Sequence, residues 1–585
     1  MVASGGRILR MAVMRRFLSP WCLVAALLAV MAALMLGPLR EESATMDEPV
    51  DLAAGYLYCT GYGYQFNPEH PPLGQILPAV PLLFLNLNVP EFLKQLGELR
   101  LGASRARPWK GWMSGKAEEF YPGGRTNWYY WPYWEAGIFG QELLYGDWNS
   151  PETLLWVSRG VQMGLTLLTG LVIALWLRKL AGMEAAVFGV VLWVFNPIVL
   201  AYGHLVVTDI SVTFGITLAV WAFTVFLQKP LWRTAFLAGG ATGLALAMKF
   251  SAVLLAPIFV GLVGVFLWCR RGALREAQGF WKWLPLVAVV AWAVVLMVYA
   301  PYWKPAPALS VPEAARIGVP DWFQKLRPVL VPPGFFKGIA MQAEHAAFGH
   351  EAFLCGEWGA KGWWYYFPLA LAWKLPVPLL ALTLAALGLW LAQLREWSVA
   401  EAAPWVAALV YLAMAMTSTI NIGVRYVLPM LPLLAVGAAQ QLARLLRNWR
   451  VAAWVLCGWL AVATTLAYPF YIEYFNEFAG GTRNGSRYLV DSNYDWGQDA
   501  KRLQAWLSAR GNPKIYLRFF GSGKAIQYYG IRYEAASPEK MRQTREGLLV
   551  ISASALMKPD WRWLDEQRKP VARIGQTLFV YELVR

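Results

Sequence analysis

The chain has 585 residues, of which 58% are hydrophobic and only 15% charged, against about 25% charged in an average soluble domain. That much apolar surface does not fit inside one water-soluble core, so a bilayer must serve as solvent. The formal charge of +16 does not point to nucleic acid, because the basic residues sit in short gaps between apolar runs and form no single basic surface.

Taken in chain order, apolar runs of spanning length occur near 18–38, 154–177, 184–201, 209–227, 233–248, 251–269, 284–301, 375–394, 403–420, 426–443 and 451–469, which predicts about eleven transmembrane helices. Arg7, Arg10, Arg15 and Arg16 precede the first run. That run is long and lacks a small-x-small cleavage site, so it reads as a retained anchor. With the N-terminus inside, the inner gaps also carry Arg178, Lys179, Lys229, Arg233, Arg270, Arg271, Arg275, Lys282, Arg395, Arg444, Arg447 and Arg450. The short outer turns near 202–208, 249–250 and 421–425 carry only Lys249 and Arg425. This asymmetry sets the orientation: N-terminus inside, C-terminal tail outside. The uncharged segment 72–89 would invert every later loop if it crossed. It contains Pro72, Pro78 and Pro81 together with Gln75, Asn86 and Asn88, and is read as a helix lying on or dipping into the outer leaflet.

The predicted organisation is a membrane domain, 1–470, with outer loops 40–152 and 302–374, followed by an extracytoplasmic α/β domain, 471–585. In the tail, a helix is expected at 497–509 and strands at 514–520, 546–552 and 576–583. The first loop holds Trp128, Tyr129, Tyr130, Trp131, Tyr133 and Trp134; such aromatics suit the membrane interface and equally the apolar face of a sugar ring. Cys22, Cys59, Cys269, Cys355 and Cys457 show no CxxC spacing; Cys59 and Cys355 fall on the same predicted side, where they could pair. The tail has no Gly-rich phosphate loop.

Charged residues near outer helix ends are the candidates for chemistry. Asp47 and Glu48 follow the first span; being adjacent, they point about 100° apart on a helix, so one of the two faces any single pocket. The run Asn67-Pro68-Glu69-His70-Pro71-Pro72 forms a proline-fixed corner presenting Glu69 and His70. NPIVLAYGHLVVTDIS places His204 and Asp209 on a turn between spans, Lys249 and Lys374 stand at two further helix ends, and Asn421, Arg425 and Tyr426 share a later turn. Each has a plainer reading as well. The carboxylates are also natural caps, the histidines natural hydrogen-bonded core groups, and the cations natural interface residues. Two histidines with carboxylates are compatible with a divalent ion, for which Glu69, His70 and His204 are the candidates, although no spacing resembles HExxH. Cations beside carboxylates at the outer leaflet are what recognition of a lipid phosphate requires.

The order of these motifs resembles a family: an acidic pair after the first span, xPEHPPLG, NPxxLAxGHLVxTD, a lysine after the fifth span, KxPxPLL and NIGxRYxLPxxP. Residues 18–470 are similar to the bacterial protein O-mannosyltransferase-like group, glycosyltransferase family 39 and its aminoarabinose-transferase relatives. YFNEFAGG and LVDSNYDWGQD in the tail resemble the ends of bacterial members. The resemblance implies a polytopic α-helical membrane protein of the C-type glycosyltransferase (GT-C) fold in the bacterial cytoplasmic membrane. Its donor would be a polyprenyl-phosphate sugar and its acceptor a hydroxyl of a protein, lipid or glycan in the cell envelope. It also implies reaction-centre acids at Asp47, Glu48 and Asp209, with Asp47 leading, and donor-phosphate cations among Lys249, Lys374 and Arg425. Glu69, His70, His204, Asn421 and Tyr426 would line the substrate pocket. The chain lacks the long luminal repeat domain of the eukaryotic mannosyltransferases, which leaves a protein acceptor unsupported. Two other classes fit many polar-lined spans: a flippase of lipid-linked sugars, though no paired repeats with broken helices are seen, and an envelope scaffold.

Overall fold

A computed structural model describes residues 20–61, 66–89, 130–146, 148–269, 278–303, 331–393 and 397–583. Of the features expected above, Arg7, Arg10, Arg15, Arg16, Trp128, Tyr129, Arg270, Arg271, Arg275 and Arg395 lie outside the described residues.

The apolar runs fold as helices. In order they are α1 (Pro20–Glu41), the loop helices α2 (Glu48–Cys59), α3 (Pro72–Ala79) and α4 (Tyr130–Tyr145), then α5 (Pro151–Ala181), α6 (Met183–Val194) and the short α7 (Pro197–Tyr202). After these come α8 (Thr208–Gln228), α9 (Trp232–Met248), α10 (Leu255–Cys269), α11 (Gln278–Tyr299), α12 (Pro333–Phe348), α13 (Tyr366–Lys374), α14 (Val377–Ala392), α15 (Val399–Ala415) and α16 (Met430–Leu466). Five segments are long and apolar enough to cross a bilayer on their own: Pro20–Glu41, Pro151–Ala181, Thr208–Gln228, Phe250–Cys269 and Gln278–Tyr302. Shorter apolar helices occupy Pro72–Phe84, Met183–Val194, Val377–Ala392, Val399–Ala415, Met430–Ala443 and Val451–Leu466. Large apolar side chains such as Leu237, Val260, Met297 and Leu466 face outward, as a lipid-solvated bundle allows.

The last two expected spans fall in one helix, α16, of 37 residues, which would be about 55 Å long if straight. Its flanks are nonetheless tied together. The Val424 amide donates to Asn493 Oδ1 (2.8 Å), and Lys374 Nζ donates to both Asn493 O (2.7 Å) and Ile472 O (2.6 Å). Its two halves also meet neighbouring residues of α6, Ala439 lying beside Gly189 and the Trp454 ring against Phe188. α16 therefore reverses within its length, and Met430–Ala443 and Val451–Leu466 run in opposite directions.

Segment 72–89 forms eight α-helical residues and then five of 3-10 helix, Val80–Phe84. Together they reach roughly 20 Å, short of a hydrocarbon core of about 30 Å. Two glycines allow its close seating. A Cβ on Gly55 would collide with Gln75 O, and one on Gly74 with Met248 O, so α3 lies directly on α2 and on the end of α9.

The tail contains a five-stranded mixed sheet in the order β4-β3-β5-β7-β6, formed by β3 (Ile515–Arg518), β4 (Tyr533–Ala535), β5 (Gly547–Ser552), β6 (Ala572–Ile574) and β7 (Leu578–Leu583). A separate antiparallel pair, β1 (Ala352–Leu354) and β2 (Glu357–Gly359), belongs to the later loop. β3 runs parallel to β4 and β5, while β7 is antiparallel to β5 and β6. The three runs expected as strands form the centre of the sheet. The edge strands β4 and β6 are three residues each, too short to be legible as alternating patterns and too short to invite edge pairing. The expected helix at 497–509 is α17 (Ala500–Ser508). Cys59 and Cys355 are both free thiols.

Candidate active site

Four charged side chains meet where α2, α8, α9 and the turn before α16 converge. Asp209, in the first turn of α8, receives Lys249 Nζ at 2.7 Å and Arg425 Nη1 at 3.4 Å. The other arm of the Arg425 guanidinium holds Asp47 Oδ2 at 2.9 Å. Each residue sits at a helix boundary for a local reason. Asp47 occupies the N-cap position of α2 ahead of Pro49, where proline tolerates a missing N–H. Lys249 is extended (φ −158°) between α9 and a 3-10 turn, and Arg425 lies in the 3-10 turn Val424–Val427. Exposure separates the members. The Asp47 side chain is 23% exposed, Lys249 10%, Arg425 7% and Asp209 3%, so Asp47 is the member most open to an incoming molecule.

Arg425 is heavily constrained and yet incompletely used. The Tyr426 ring lies 5.2 Å from its guanidinium carbon and the Trp496 ring 4.4 Å, both within cation–π range. Burial opposes its charge, but Asp47, Tyr426 and Asp209 more than compensate, and its pKa lies above the ordinary arginine value. Its Nε, buried, has no hydrogen-bond partner. A buried donor left without an acceptor costs about 1–3 kcal/mol, and a phosphate oxygen arriving there would satisfy it.

Glu48 lies one residue from Asp47 and in a different environment. Its carboxylate is fully buried and paired with Arg159 through Nε (2.8 Å) and Nη2 (2.6 Å). It also accepts from the Thr45 and Val206 amides, both at 2.9 Å. Burial alone would raise its pKa, but Arg159 and the two amides bring it below the ordinary glutamate value. Asp51, one helical turn beyond Asp47, is also buried; it accepts from Gln75 Nε2 (2.6 Å) and Asn67 Nδ2 (3.4 Å). Burial, opposed by the Gln75 hydrogen bond and reinforced by Asp47, pushes its pKa up to about 8.

The remaining expected residues divide. His204 is fully buried; its Nδ1 donates to Leu200 O (3.0 Å) and its Nε2 meets Glu42 Oε2 (3.2 Å). Glu69 accepts from Gln342 Nε2 (3.1 Å) and lies 3.5 Å from His345, which in turn contacts His350 at 3.0 Å. His70 is half-buried, and desolvation with the Lys249 charge lowers its pKa to about 4. Among the described residues no three histidine, cysteine or acidic side chains form a metal-holding group. Asn421 Oδ1 accepts the Trp363 amide at 2.6 Å. Tyr426 stacks under both Lys249 and Arg425. Lys374 does not join the cluster. It is buried, hydrogen-bonded to two carbonyls and 4.6 Å from the Phe475 ring, and burial lowers its pKa to about 7.

Three contributors were not identified from the sequence. Arg159 was legible as a charge inside an apolar run, an unusual position that marks a specific partner. Asp51 was legible as the residue one turn from Asp47. The turn 491–498 lies in LVDSNYDWGQD, but only its tertiary contacts assign it to the cluster.

Comparison with known proteins identifies part of this chain as a glycosyltransferase domain. Residues 152–300 match the family described as dolichyl-phosphate-mannose-protein mannosyltransferase, and over that segment the chain carries this family's domain. No curated protein matches the chain in sequence. Among solved structures, ArnT from Cupriavidus metallidurans bound to undecaprenyl phosphate aligns with a TM-score of 0.46 and 13% identity, over 95% of this chain and 97% of that one. The archaeal oligosaccharyltransferase AglB from Archaeoglobus fulgidus, in complex with an inhibitory peptide and a dolichol-phosphate, aligns with a TM-score of 0.47 and 13% identity, over 89% of this chain and 64% of that one.

Proposed function

We propose that this protein moves a sugar from a polyprenyl-phosphate carrier to a hydroxyl acceptor at the outer face of the bacterial cytoplasmic membrane, within a GT-C arrangement of about eleven spans. The observation that carries the reading is Arg425, a buried cation shared by two carboxylates with a further donor unpartnered, beside Lys249. The match of residues 152–300 to a family named for a lipid-phosphate sugar donor supports it.

The residues act as follows. Asp47, the most open carboxylate, takes the acceptor hydroxyl proton as that oxygen attacks the anomeric carbon. The new C–O bond forms as the bond from the anomeric carbon to the phosphate oxygen breaks, and the polyprenyl phosphate leaves with the electron pair. Arg425 and Lys249 stabilise the growing phosphate charge without giving up protons. One displacement inverts the anomeric centre. Asp209 orients both cations and is too enclosed to reach the sugar. Lys374 is left out of phosphate binding, because its ammonium is spent on tail carbonyls.

The test is release of free polyprenyl phosphate from a polyprenyl-phosphate sugar by purified protein. Release that depends on added acceptor and is lost in Asp47→Asn supports the reading. No release from any such donor, or thiol labelling that places position 47 or 425 on the cytosolic side, overturns it.

A further inference from the structure

The loop that joins the membrane bundle to the tail sheet holds the proposed base and the proposed phosphate ligand at once. On the Asp47 side, the Ser43 amide donates to Gln498 O and the Met46 amide to Trp496 O, both at 3.0 Å. Ser43 Oγ donates to Gly497 O at 3.0 Å and accepts the Ala500 amide at 3.2 Å. Segment 43–46 therefore leads into Asp47 while bonded to the tail. On the Arg425 side, Asn493 Oδ1 accepts the Val424 amide, Ser492 Oγ donates to Ile422 O (2.7 Å), and Tyr202 Oη donates to Ser492 O (2.6 Å). Between these two sets of bonds Trp496, 1% exposed, lays its ring over the guanidinium and is itself held by an edge contact with Tyr202.

We propose that Trp496 is a positioning residue for donor-phosphate binding. Its indole face fixes the plane of the Arg425 guanidinium so that Nη1 and Nη2 stay on Asp209 and Asp47 and Nε stays directed at the phosphate. The inference rests on the function proposed above and deepens it, by making a tail residue part of the donor site. An arginine side chain has many rotamers, and confining it costs conformational entropy at every binding event unless the protein has already done so. A desolvated ring face supplies that confinement together with a cation–π attraction, which an aliphatic side chain of similar size lacks.

The experiment uses full-length protein in detergent with undecaprenyl phosphate as the probe, read by direct binding, and then donor and acceptor kinetics. Trp496→Phe, which keeps a ring, is expected to bind the probe within about threefold of the parent. Trp496→Leu is expected to weaken binding about tenfold or more, raising the donor KM by a similar factor with the acceptor KM unchanged. Trp496→Met repeats the loss of the ring with a more adaptable side chain should the leucine variant not accumulate. A merely structural tryptophan would lower Tm in all three variants and move donor and acceptor KM together, or neither; either outcome overturns the inference. Equal probe binding by the parent and the ringless variants overturns it while leaving the donor reading intact. A parent protein that does not bind undecaprenyl phosphate overturns both.

Discussion

Asp47 and Glu48 are neighbours in sequence, and the regions they anchor are opposites. Glu48 is closed: both oxygens are occupied by Arg159 and two amides, with no exposed surface. Asp47 stands at the open rim of a cluster in which Arg425 serves two acids and keeps a donor spare. The difference shows what an ion pair is for. A fully saturated pair fixes a structure, whereas an unsaturated one has room for a ligand. The offset of about 100° between consecutive helical residues lets one dipeptide do both.

The comparison breaks most readily at Asp47. Asp47→Asn keeps the shape and removes the proton acceptor, so the turnover rate should fall by about 10²–10⁴-fold, with a smaller drop in Tm than Glu48→Gln because Arg425 keeps Asp209. Wild-type turnover in this variant would remove Asp47 as base. Glu48→Gln should do the converse, leaving Arg159 buried without its counter-charge at a cost of about 3–5 kcal/mol. A large drop in Tm with near-normal turnover per folded molecule is expected, and a stable but inactive variant would reverse the assignment of the two acids.

Asp51 sharpens the contrast through pH. Its folded pKa of about 8 lies above the ordinary value of 3.8, so between those values the folded state binds more protons than the unfolded state. Stability therefore falls as pH rises from about 4 to about 8 and levels off above. Asp51→Asn resembles the protonated acid and should flatten that slope, exceeding the parent by at least ~1 kcal/mol at pH 8 and matching it near pH 4. Parallel Tm-against-pH curves would contradict this. The smallest effect is expected at Lys374. Lys374→Met removes two hydrogen bonds to tail carbonyls, worth roughly 1–3 kcal/mol together, and should increase protease sensitivity near 472–493 while changing donor KM little.

Much of the bundle was legible because spanning runs are local: twenty apolar residues announce a helix whatever surrounds them. The same locality picked out Asp47, Asp209, Lys249 and Arg425 as charges at helix ends, and the structure brings these four together. It failed for Lys374, whose position at a helix end looked the same in sequence and whose partners are carbonyls of the tail. It did separate the two halves of α16, because Arg444, Arg447 and Arg450 divide the apolar runs even though no glycine or proline lies between 438 and 458. The role of 491–498 was out of reach, since its hydrogen bonds run to residues 69, 290 and 454 positions earlier. Hydrophobic period says nothing about such pairings.

The bond from Ser43 to Gly497 spans 454 positions, which fixes an order of events during biosynthesis. The stretch leading into Asp47 leaves the ribosome early, and its Ser43 and Met46 amides lack their tail acceptors until residue 498 has been translated and carried to the same side of the membrane. A nascent chain halted anywhere in the helical bundle would lack the bonds from Ser43 and Met46 to 496–498, so on the reading proposed above the approach to Asp47 is completed only after that loop has docked.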